Sequence, residues 1–367
     1  MIDASDMIGA DVAALDTPSL VVDLDVMEVN LAHIAAACRA GGVAWRPHCK
    51  THKSPEIAKL QVAAGAIGVT CAKLAEAEVM VDAGIDHVLI ANQIVGPIKI
   101  ARLMGLCARA EVMVAVDGPD NVEALAAAAT KAGLRLGVVI EVDTGTRRAG
   151  VLPGAPVLEL ALRIVALRSL RLAGVMTWEG HAAKTADPAE KRAAIEDAVG
   201  ALVASAELCR RNSVSIGIVS CGGTGTFETA VQISGVTEIQ AGGGVFGDVR
   251  YRTIYHVPLA YGLTVHATVT SRPTPRRIVC DAGKKAMSTD SGMPIPLDLP
   301  GVASVSFSAE HGKIELDADA VAPRVGDRIR FVVGYADTTV HLHDAIFAAR
   351  AGRIERVWPV SAAAKLR

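Results

Sequence analysis

The sequence is poor in aromatic residues and carries no excess of charge of one sign. Phe, Trp and Tyr make up 3% of its 367 residues, and the formal net charge is -2. Because nucleic-acid-binding surfaces need clustered positive charge, and no long basic block is present, we expect no nucleic-acid partner. The core must instead be aliphatic, and 51% hydrophobic against 21% charged residues are enough for a large one.

Disulfide and membrane signatures are also missing. The seven cysteines are odd in number, scattered and without a Cys-x-x-Cys pair, which is typical of a reducing compartment. Apolar runs are broken by charge or glycine before they reach membrane-spanning length. Residues 1–6 (MIDASD) are acidic, unlike a secretory signal. These absences predict a soluble, cytoplasmic protein with no membrane partner.

Short strand-like runs alternate with Ala-rich amphipathic stretches from residue 20 to about residue 244. Strands are expected at 20–24, 41–45, 67–71, 87–91, 112–116, 136–142, 172–178, 215–220 and 237–240, and helices at 28–40, 55–64, 74–82, 119–131, 157–167 and 188–210. This alternation predicts a parallel sheet with right-handed crossovers, and the number of units favours closure into a barrel. An open doubly wound sheet remains the alternative, because periodicity does not show closure.

The pattern changes after about residue 244. Alternating strands, expected at 263–270, 277–280, 302–308 and 327–333, are separated by Pro- and Gly-rich turns, which is typical of an all-β domain. The sequence therefore predicts an α/β fold, a TIM-like (β/α)8 barrel followed by a smaller all-β C-terminal domain. We expect the barrel at residues 20–250, and the β-domain at residues 1–19 plus 251–367.

Residues 46–53 (RPHCKTHK) place Lys50 between His48 and His52 at the end of an apolar run. A lysine after a buried strand lies where an α/β barrel builds its active site. There it can form a Schiff base with a carbonyl cofactor if its surroundings favour the neutral amine. Lys50 is therefore the candidate nucleophile, although the octapeptide alone is also compatible with an exposed basic turn.

Other chemically informative segments also follow predicted strands, whose carboxyl ends a barrel gathers at one mouth. They are Arg148, Trp178, the loop of Gly222, Gly223, Thr224 and Gly225, and the loop of Gln240, Gly242 and Gly243. Each glycine loop alone is more often a tight turn, but two on successive strands can present backbone N–H groups to a phosphate. With Lys50 on an aldehyde and the loops on a phosphate, pyridoxal 5'-phosphate is the economical cofactor.

The chain resembles the D-threonine aldolase and D-serine dehydratase family, pyridoxal phosphate enzymes of the alanine racemase fold type. The resemblance runs from residues 17–24 (TPSLVVDL) through the lysine segment to residues 357–360 (VWPV). It includes 141–145 (EVDTG), 148–151 (RAGV), 221–225 (CGGTG), 240–242 (QAG), 281–283 (DAG), 310–312 (EHG) and 342–344 (LHD). Each motif is weak alone, whereas their order and spacing together are specific.

The resemblance implies a cofactor bound to Lys50, with Arg148 near the cofactor ring and either His48 or His52 orienting it. Trp178 stands at a substrate-side position and is a catalytic candidate. The implied substrate is a small D-3-hydroxy amino acid, cleaved by retro-aldol chemistry to glycine and an aldehyde. Asp337, where other members carry cysteine, favours the aldolase over a dehydratase. The fold type also implies a homodimer.

Several substrate-side positions depart from the family pattern. Family members usually carry His-x-Asp or His-x-Cys to hold a divalent metal, but here Tyr335 replaces the histidine while Asp337 is retained. A neutral phenol is a poor metal ligand, so a Mn2+ or Mg2+ site is doubtful. One alternative is a site rebuilt from Asp337 with His341, His181 or Glu179, in which His341 would share a strand face with His343.

Another alternative is that Tyr335 acts as an acid/base after a neighbouring positive charge lowers its pKa, as in a metal-independent racemase or epimerase. Arg250 and Arg252 are candidates for binding a substrate carboxylate, although exposed salt-bridge partners are the more frequent role of such residues. Gly244 stands where the family usually places a tyrosine. A protein that only carries the cofactor is a further alternative, which the C-terminal β-domain disfavours.

Overall fold

The structure is a computed structural model that describes residues 4–317 and 323–367. Residues 1–3 and 318–322, parts of the predicted segments 1–19 and 251–367, lie outside the described residues. By its internal contacts the chain divides into two compact units. We call them the barrel unit (Ala32–Lys50, Pro55–Gly242 and Lys365–Arg367) and the strand unit (Met1–Leu31, Thr51–Ser54 and Gly243–Ala364).

The secondary structure follows the predicted alternation closely. The strands are β1 (Ser19–Asp23), β2 (Ala44–Trp45), β3 (Val69–Cys71), β4 (His87–Gln93), β5 (Glu111–Val116), β6 (Leu136–Glu141), β7 (Leu170–Met176), β8 (Ile218–Cys221), β9 (Glu238–Ile239), β10 (Leu263–Thr274), β11 (Arg277–Cys280), β12 (Ile295–Leu297), β13 (Val302–Phe307), β14 (Gly312–Leu316), β15 (Arg328–Val332), β16 (Ala345–Arg350) and β17 (Arg353–Pro359). The helices are α1 (Leu24–Ala40), α2 (Pro55–Ala63), α3 (Leu74–Asp82), α4 (Pro97–Cys107), α5 (Pro119–Ala132), α6 (Ala155–Ala166), α7 (Pro188–Arg211), α8 (Phe227–Ala230) and α9 (Ala336–Thr339).

Eight parallel strands form the sheet of the barrel unit, in the order β2-β9-β8-β7-β6-β5-β4-β3. The chain just beyond β2 also pairs with β3. The Cys49 N–H donates to the Thr70 carbonyl oxygen at 2.7 Å, and the Thr70 N–H donates to the Pro47 carbonyl oxygen at 2.8 Å. Because the two end strands of the sheet are joined in this way, the sheet closes. The predicted barrel is confirmed, and the open-sheet alternative is wrong.

Aliphatic side chains fill the barrel, as the low aromatic content requires. A buried cluster from β4 to β7 consists of Leu89, Met113, Ala115, Val139, Ala173 and Met176. Helix starts are well specified, since α4, α5, α6 and α7 carry proline in the first turn, where its missing N–H is not needed. The Asp187 side chain caps α7 by accepting hydrogen bonds from the Ala189 and Glu190 N–H groups.

A nine-stranded sheet forms the strand unit, in the order β13-β14-β11-β10-β1-β16-β17, with β15 pairing with β10 and β12. β1 pairs antiparallel with β10 and parallel with β16. Counting residues 20–24 among the barrel strands was therefore wrong. Four of the five β1 residues are buried, and such a continuous apolar run looks the same in either kind of sheet.

The residues before β1 pack on this same sheet. Leu15, Val21, Ala349 and Ile354 form a buried cluster, and the Val12 N–H donates to the Gly352 carbonyl oxygen at 2.9 Å. The described part of residues 1–19 thus packs on the sheet of the strand unit. The division of the chain differs from the expected boundaries, because α1 crosses it and Thr51–Ser54 belongs to the strand unit.

Among the described helices, none has the length and hydropathy that a bilayer crossing requires. Within the described residues, none of the seven cysteines forms a disulfide, and six of them are buried.

Candidate active site

Lys50 lies in a turn shortly after β2 ends at Trp45, at the carboxyl side of that strand. Its backbone N–H donates to His48 Nδ1 at 3.3 Å, and the residue is half-buried. The His48 N–H donates to the Gln240 carbonyl oxygen at 3.1 Å. Gly242 packs so closely on the His48 backbone that a Cβ atom would not fit. The lysine-bearing turn is thus fastened to the loop after β9.

His48, Lys50 and His52 do not share one strand face, because β2 stops before all three. His52 is fully buried, and its Nδ1 accepts a hydrogen bond from the Ser54 N–H at 3.2 Å. His52 belongs to the strand unit, whereas His48 and Lys50 belong to the barrel unit. Of the two histidines, His48 is therefore the one bonded to the turn that carries Lys50.

Several buried backbone N–H groups in the glycine loops have no hydrogen-bond acceptor among the described residues. They include those of Gly225, in the loop after β8, and Gly242, in the loop after β9. Such orphaned amides are rare in folded proteins, and clustered N–H groups in glycine loops are typical binding groups for phosphate oxygens. The loops predicted from the sequence therefore fit the phosphate of pyridoxal phosphate.

Glu179 holds the first of these loops, the one after β8, through hydrogen bonds. Its fully buried carboxylate accepts hydrogen bonds from the Thr226 hydroxyl and from the Gly222 N–H, the latter at 3.4 Å. Burial raises the pKa of Glu179, and these hydrogen bonds only partly oppose that effect. The suggestion of Glu179 as a metal ligand is therefore a poor fit, because its oxygens already hold the loop.

Trp178 packs against the same loop. A Cβ atom at Gly223 would collide with the six-membered ring of Trp178, and one at Gly180 would collide with its indole nitrogen edge. Only glycine at these two positions leaves room for the indole. The contact makes Trp178 a positioning residue for the loop, and its catalytic role stays a prediction.

The Arg148 side chain is exposed to solvent but is linked to one buried carboxylate. Its side chain is 62% exposed, yet Nη2 lies 3.2 Å from Oε1 of the buried Glu141. Glu141 also accepts a hydrogen bond from Gln93 Nε2 at 2.7 Å. The preceding loop is held by Asp143. Burial opposes the ionised form of Asp143, but the Arg147 and Gly145 N–H groups outweigh it and lower its pKa.

Gln240 ends a chain of buried polar groups that sequence reasoning missed. Gln240 Nε2 donates to Ser220 Oγ at 2.9 Å, and Ser220 Oγ donates to Glu238 Oε1 at 2.8 Å. Glu238 Oε2 in turn lies 2.9 Å from Arg46 Nε, with both side chains less than a tenth exposed. The sequence signal was the presence of charged residues at the ends of two apolar barrel strands. This network orients the amide predicted to face the cofactor.

A second polar cluster lies within the strand unit. The Asp337 carboxylate accepts hydrogen bonds from the hydroxyl groups of Thr51 and Tyr335. The Tyr335 and Tyr251 ring centroids are 5.9 Å apart. A Cβ atom at Gly243, which was predicted to bind the cofactor, would collide with the hydroxyl groups of Tyr251 and Thr51. Tyr251 was not identified as a site residue from the sequence. The only signal available there was its position between Arg250 and Arg252.

Arg250 is sandwiched between two aromatic rings in this cluster. Its guanidinium carbon lies 5.0 Å from the Tyr335 ring centre and 4.9 Å from that of Tyr255. Its nitrogens donate to the Tyr255 hydroxyl at 3.1 Å and to the Ser291 carbonyl oxygen at 2.8 Å. Arg252 stacks on Tyr261 at 4.9 Å instead. Arg250 is therefore structurally committed, and the expected role of these arginines on a substrate carboxylate stays a prediction.

Asp248 joins the π-helix Arg250–Ile254 to α9 and was also missed. Its fully buried carboxylate accepts hydrogen bonds from the Tyr251 and Ala336 N–H groups, each at 2.8 Å. Burial, reinforced by the charge of Asp337, raises the pKa of Asp248 to about 7. Nothing in the local sequence distinguished this aspartate from a surface residue.

Two expectations about the substrate side need correction. Burial, and next the charge of Asp337, raise the pKa of Tyr335 far above its ordinary value, so the positive charge of Arg250 does not make this phenol acidic. His341 is exposed in the 3-10 helix Val340–Leu342, and His343 Nε2 lies 2.8 Å from the Ala286 carbonyl oxygen. The two histidines do not share a strand face.

The rebuilt metal site is likewise unsupported. His181 is exposed and packs against Gly145. Across residues 4–317 and 323–367, no group of three or more His, Cys, Asp or Glu side chains is arranged to hold a metal ion. The donor set around Asp337 therefore does not fit the divalent metal that the family pattern implies.

Sequence and structure comparisons place this arrangement among known proteins. The alanine racemase N-terminal domain family matches residues 22–250, and a putative serine dehydratase domain matches residues 262–349. The chain is 37% identical to D-threonine aldolase of Arthrobacter sp over 96% of this chain and 94% of that protein. It is 34% identical to 3-hydroxy-D-aspartate aldolase of Paracoccus denitrificans, over 97% and 94%.

Solved structures are similar to this chain over nearly its whole length. D-threonine aldolase from Filomicrobium marinum has a TM-score of 0.95 at 35% identity, covering 98% of this chain and 99% of that one. D-threo-3-hydroxyaspartate dehydratase from Delftia sp. has a TM-score of 0.86 at 31% identity, covering 95% and 98%. The closed barrel with a strand-rich C-terminal unit defines an alanine racemase-like fold. Within that class, the chain belongs to the D-threonine aldolase family of pyridoxal phosphate enzymes.

Proposed function

We propose that the protein is a pyridoxal phosphate-dependent lyase that cleaves a D-3-hydroxy amino acid to glycine and an aldehyde. The observation that carries the proposal is the pairing of Lys50, in the turn after β2, with the orphaned N–H groups of Gly225 and Gly242. A lysine for the aldehyde and buried amides for the phosphate are the two attachment points this cofactor needs.

Each barrel residue then has a distinct role. When bound, the cofactor supplies an electron sink for the electron pair left on the substrate Cα atom. Lys50 Nζ holds the cofactor aldehyde, and His48, bonded to the backbone of Lys50, orients that turn. Arg148 offers a fixed positive charge to the cofactor ring while its link to Glu141 limits its motion. Trp178 keeps the phosphate loop in place.

Asp337 is the residue that we propose takes the proton of the substrate 3-hydroxyl group. The O–H bond pair becomes the second bond of the aldehyde carbonyl, the Cα–Cβ bond breaks, and Cα takes up a proton from water or a protein acid to give glycine. Hydrogen bonds from the Thr51 and Tyr335 hydroxyl groups hold the Asp337 carboxylate in place, and a positioned carboxylate is a common general base. Asp337 in place of cysteine favours this cleavage over dehydration.

Dehydration of the same substrate class is the second candidate, since the chain is 32% identical to D-threo-3-hydroxyaspartate dehydratase of Delftia sp. over 94% of its length. The two reactions differ in products, because dehydration releases ammonia and a 2-oxo acid instead of glycine. Racemisation with Tyr335 as a base is disfavoured by the raised pKa of its phenol. Exchange of the Cα hydrogen with inverted configuration, in deuterated water, would reveal it.

The lysine assignment is tested by borohydride reduction of the purified protein followed by peptide mass analysis. We expect the reduced cofactor on the peptide that contains Lys50, and its loss in a Lys50→Ala variant. A Lys53→Ala variant is the matched control, because Lys53 is buried three residues away and should leave the label in place. Label on Lys53, or its persistence in Lys50→Ala, would refute the assignment.

The reaction is tested by product analysis with D-threonine and D-3-hydroxyaspartate. Glycine and the corresponding aldehyde in equal amounts are expected from at least one of them. Ammonia with a 2-oxo acid would establish the dehydratase instead. We also propose a homodimer in the cytoplasm, as the family resemblance and the cysteine pattern suggest, and light scattering of the purified protein measures the oligomeric state.

A further inference from the structure

The position of the family's metal pair carries an unusual donor set in this chain. Tyr335 presents a neutral phenol, and its O–H group donates to the Asp337 carboxylate. The Thr51 hydroxyl donates to the same carboxylate. Divalent Mn2+ and Mg2+ are typically bound by carboxylate, carbonyl and water oxygens. A neutral phenol is a poor ligand for them, also in comparison with imidazole. Asp337 is left as the single anionic ligand of the pair, and its lone pairs already serve two hydroxyl donors.

The charge around this pair also differs from that of a cation site. The guanidinium of Arg250 lies 5.0 Å from the Tyr335 ring centre. The Tyr255 hydroxyl and the Ser291 carbonyl oxygen hold it there. Because like charges repel strongly in partly buried surroundings, a fixed guanidinium opposes the entry of a divalent cation. It also supplies a permanent positive charge beside Tyr335.

Resting on the proposed lyase function, we propose that this protein works without a divalent metal. The hydroxyl groups of Tyr335 and Thr51 hold the Asp337 carboxylate in the orientation that a metal imposes in its relatives, and Arg250 supplies the positive charge. Tyr335 is then the residue that decides between metal-dependent and metal-independent chemistry. Restoring a histidine at this position should restore metal binding.

The first test measures Mn2+ binding to the holoenzyme by electron paramagnetic resonance, independently of turnover. The unmodified protein is expected to bind no stoichiometric Mn2+, whereas Tyr335→His should bind one ion at least about tenfold more tightly. Tyr335→Phe is the matched control, because it removes the hydroxyl without adding a ligand and should not bind. Asp337→Asn added to Tyr335→His should abolish the new site. Stoichiometric Mn2+ binding by the unmodified protein that Asp337→Asn removes would overturn the proposal.

The second test measures glycine formation after dialysis against a chelator. Activity of the unmodified protein should survive chelation and be unchanged by added Mn2+ or Mg2+. Loss on chelation with recovery on Mn2+ addition would contradict metal independence while leaving the lyase function intact. If no tested substrate gives glycine, the lyase proposal fails, and the Mn2+ binding of the Tyr335 variants still decides whether the metal site has been replaced.

Discussion

The hydroxyl group of Thr51 donates a hydrogen bond to the carboxylate of Asp337, which lies 286 residues further along the chain. Thr51 directly follows Lys50, the residue proposed to hold the cofactor. Both partners of this bond belong to the strand unit, although Lys50 belongs to the barrel unit. The chain therefore enters the strand unit at a residue hydrogen-bonded to the proposed catalytic carboxylate.

Replacing Thr51 with valine should impair turnover more than folding. The change keeps the side-chain shape but leaves an acceptor of Asp337 without its donor, which costs about 1–3 kcal/mol. We expect kcat to fall by roughly tenfold or more, with KM less affected. Thr51→Ser keeps the hydroxyl and should retain most of the activity. Equal kcat values for the valine variant and the unmodified protein would show that this hydrogen bond does not support catalysis.

Removing the Glu179 carboxylate should loosen the phosphate loop. In Glu179→Ala, the Thr226 hydroxyl and the Gly222 N–H lose their acceptor, and each unsatisfied buried group costs about 1–3 kcal/mol. Pyridoxal phosphate should bind more weakly, as measured by titrating the cofactor into the apoprotein, and urea unfolding should show lower stability. Glu179→Gln keeps one acceptor oxygen and should show smaller losses. Unchanged cofactor affinity in Glu179→Ala would argue against the anchoring role.

The buried Arg46–Glu238 pair should matter for stability rather than for substrate affinity. Arg46→Leu leaves the Glu238 carboxylate buried without its cation, which typically costs about 3–5 kcal/mol. The double variant Arg46→Leu with Glu238→Gln removes the stranded charge and should recover part of that loss in urea unfolding. If the double variant is no more stable than Arg46→Leu, the stranded charge is not the cause.

Asp248 should make stability fall as pH rises through the weakly acidic range. Its folded-state pKa of about 7 lies above the ordinary 3.8. Between these values the folded state keeps the proton that the unfolded chain has released. Stability from this group is thus present below about pH 4 and lost as pH rises towards 7. The pKa difference of about three corresponds to about 4 kcal/mol.

The Asp248→Asn variant isolates this contribution. Arg250 and Asp337, the charged groups that act on Asp248, are unchanged in it, so the difference in unfolding free energy between the two proteins reports Asp248. The free energy of unfolding of the unmodified protein, relative to that of the variant, should fall as pH rises from about 4 to 7. Urea unfolding at several pH values measures this difference. A difference that is independent of pH would show that Asp248 does not titrate in this range.

Much of the fold was readable from the sequence because its signals are local. The helix over 74–82 and the strand over 277–280 have the predicted bounds, since hydrophobic periodicity and turn residues act within a few positions. β1 was assigned to the wrong sheet because its partners, β10 and β16, lie far along the chain. A buried strand does not encode which neighbours it pairs with.

Some residues of the candidate site could likewise be identified from the sequence, and others could not. Lys50, Arg148 and the two glycine loops were identified because each follows a strand and matches a family motif. Asp248, Tyr251 and the Ser220–Glu238–Arg46 network were missed, because their importance comes from burial and from partners distant in sequence. A lowered pKa of Tyr335, one of the alternatives drawn from the sequence, is disfavoured, since burial and the charge of Asp337 raise the pKa of its phenol.

The sequence by itself determined the barrel alternation, the position of the candidate lysine after β2, and the replacement of a metal-ligating histidine by Tyr335, because each is written in neighbouring residues. The tertiary structure alone decided that the barrel closes, that β1 leaves it, and that Asp337 is bound by two hydroxyl groups. These outcomes depend on hydrogen bonds and burial between segments far apart in the chain, which no local pattern specifies.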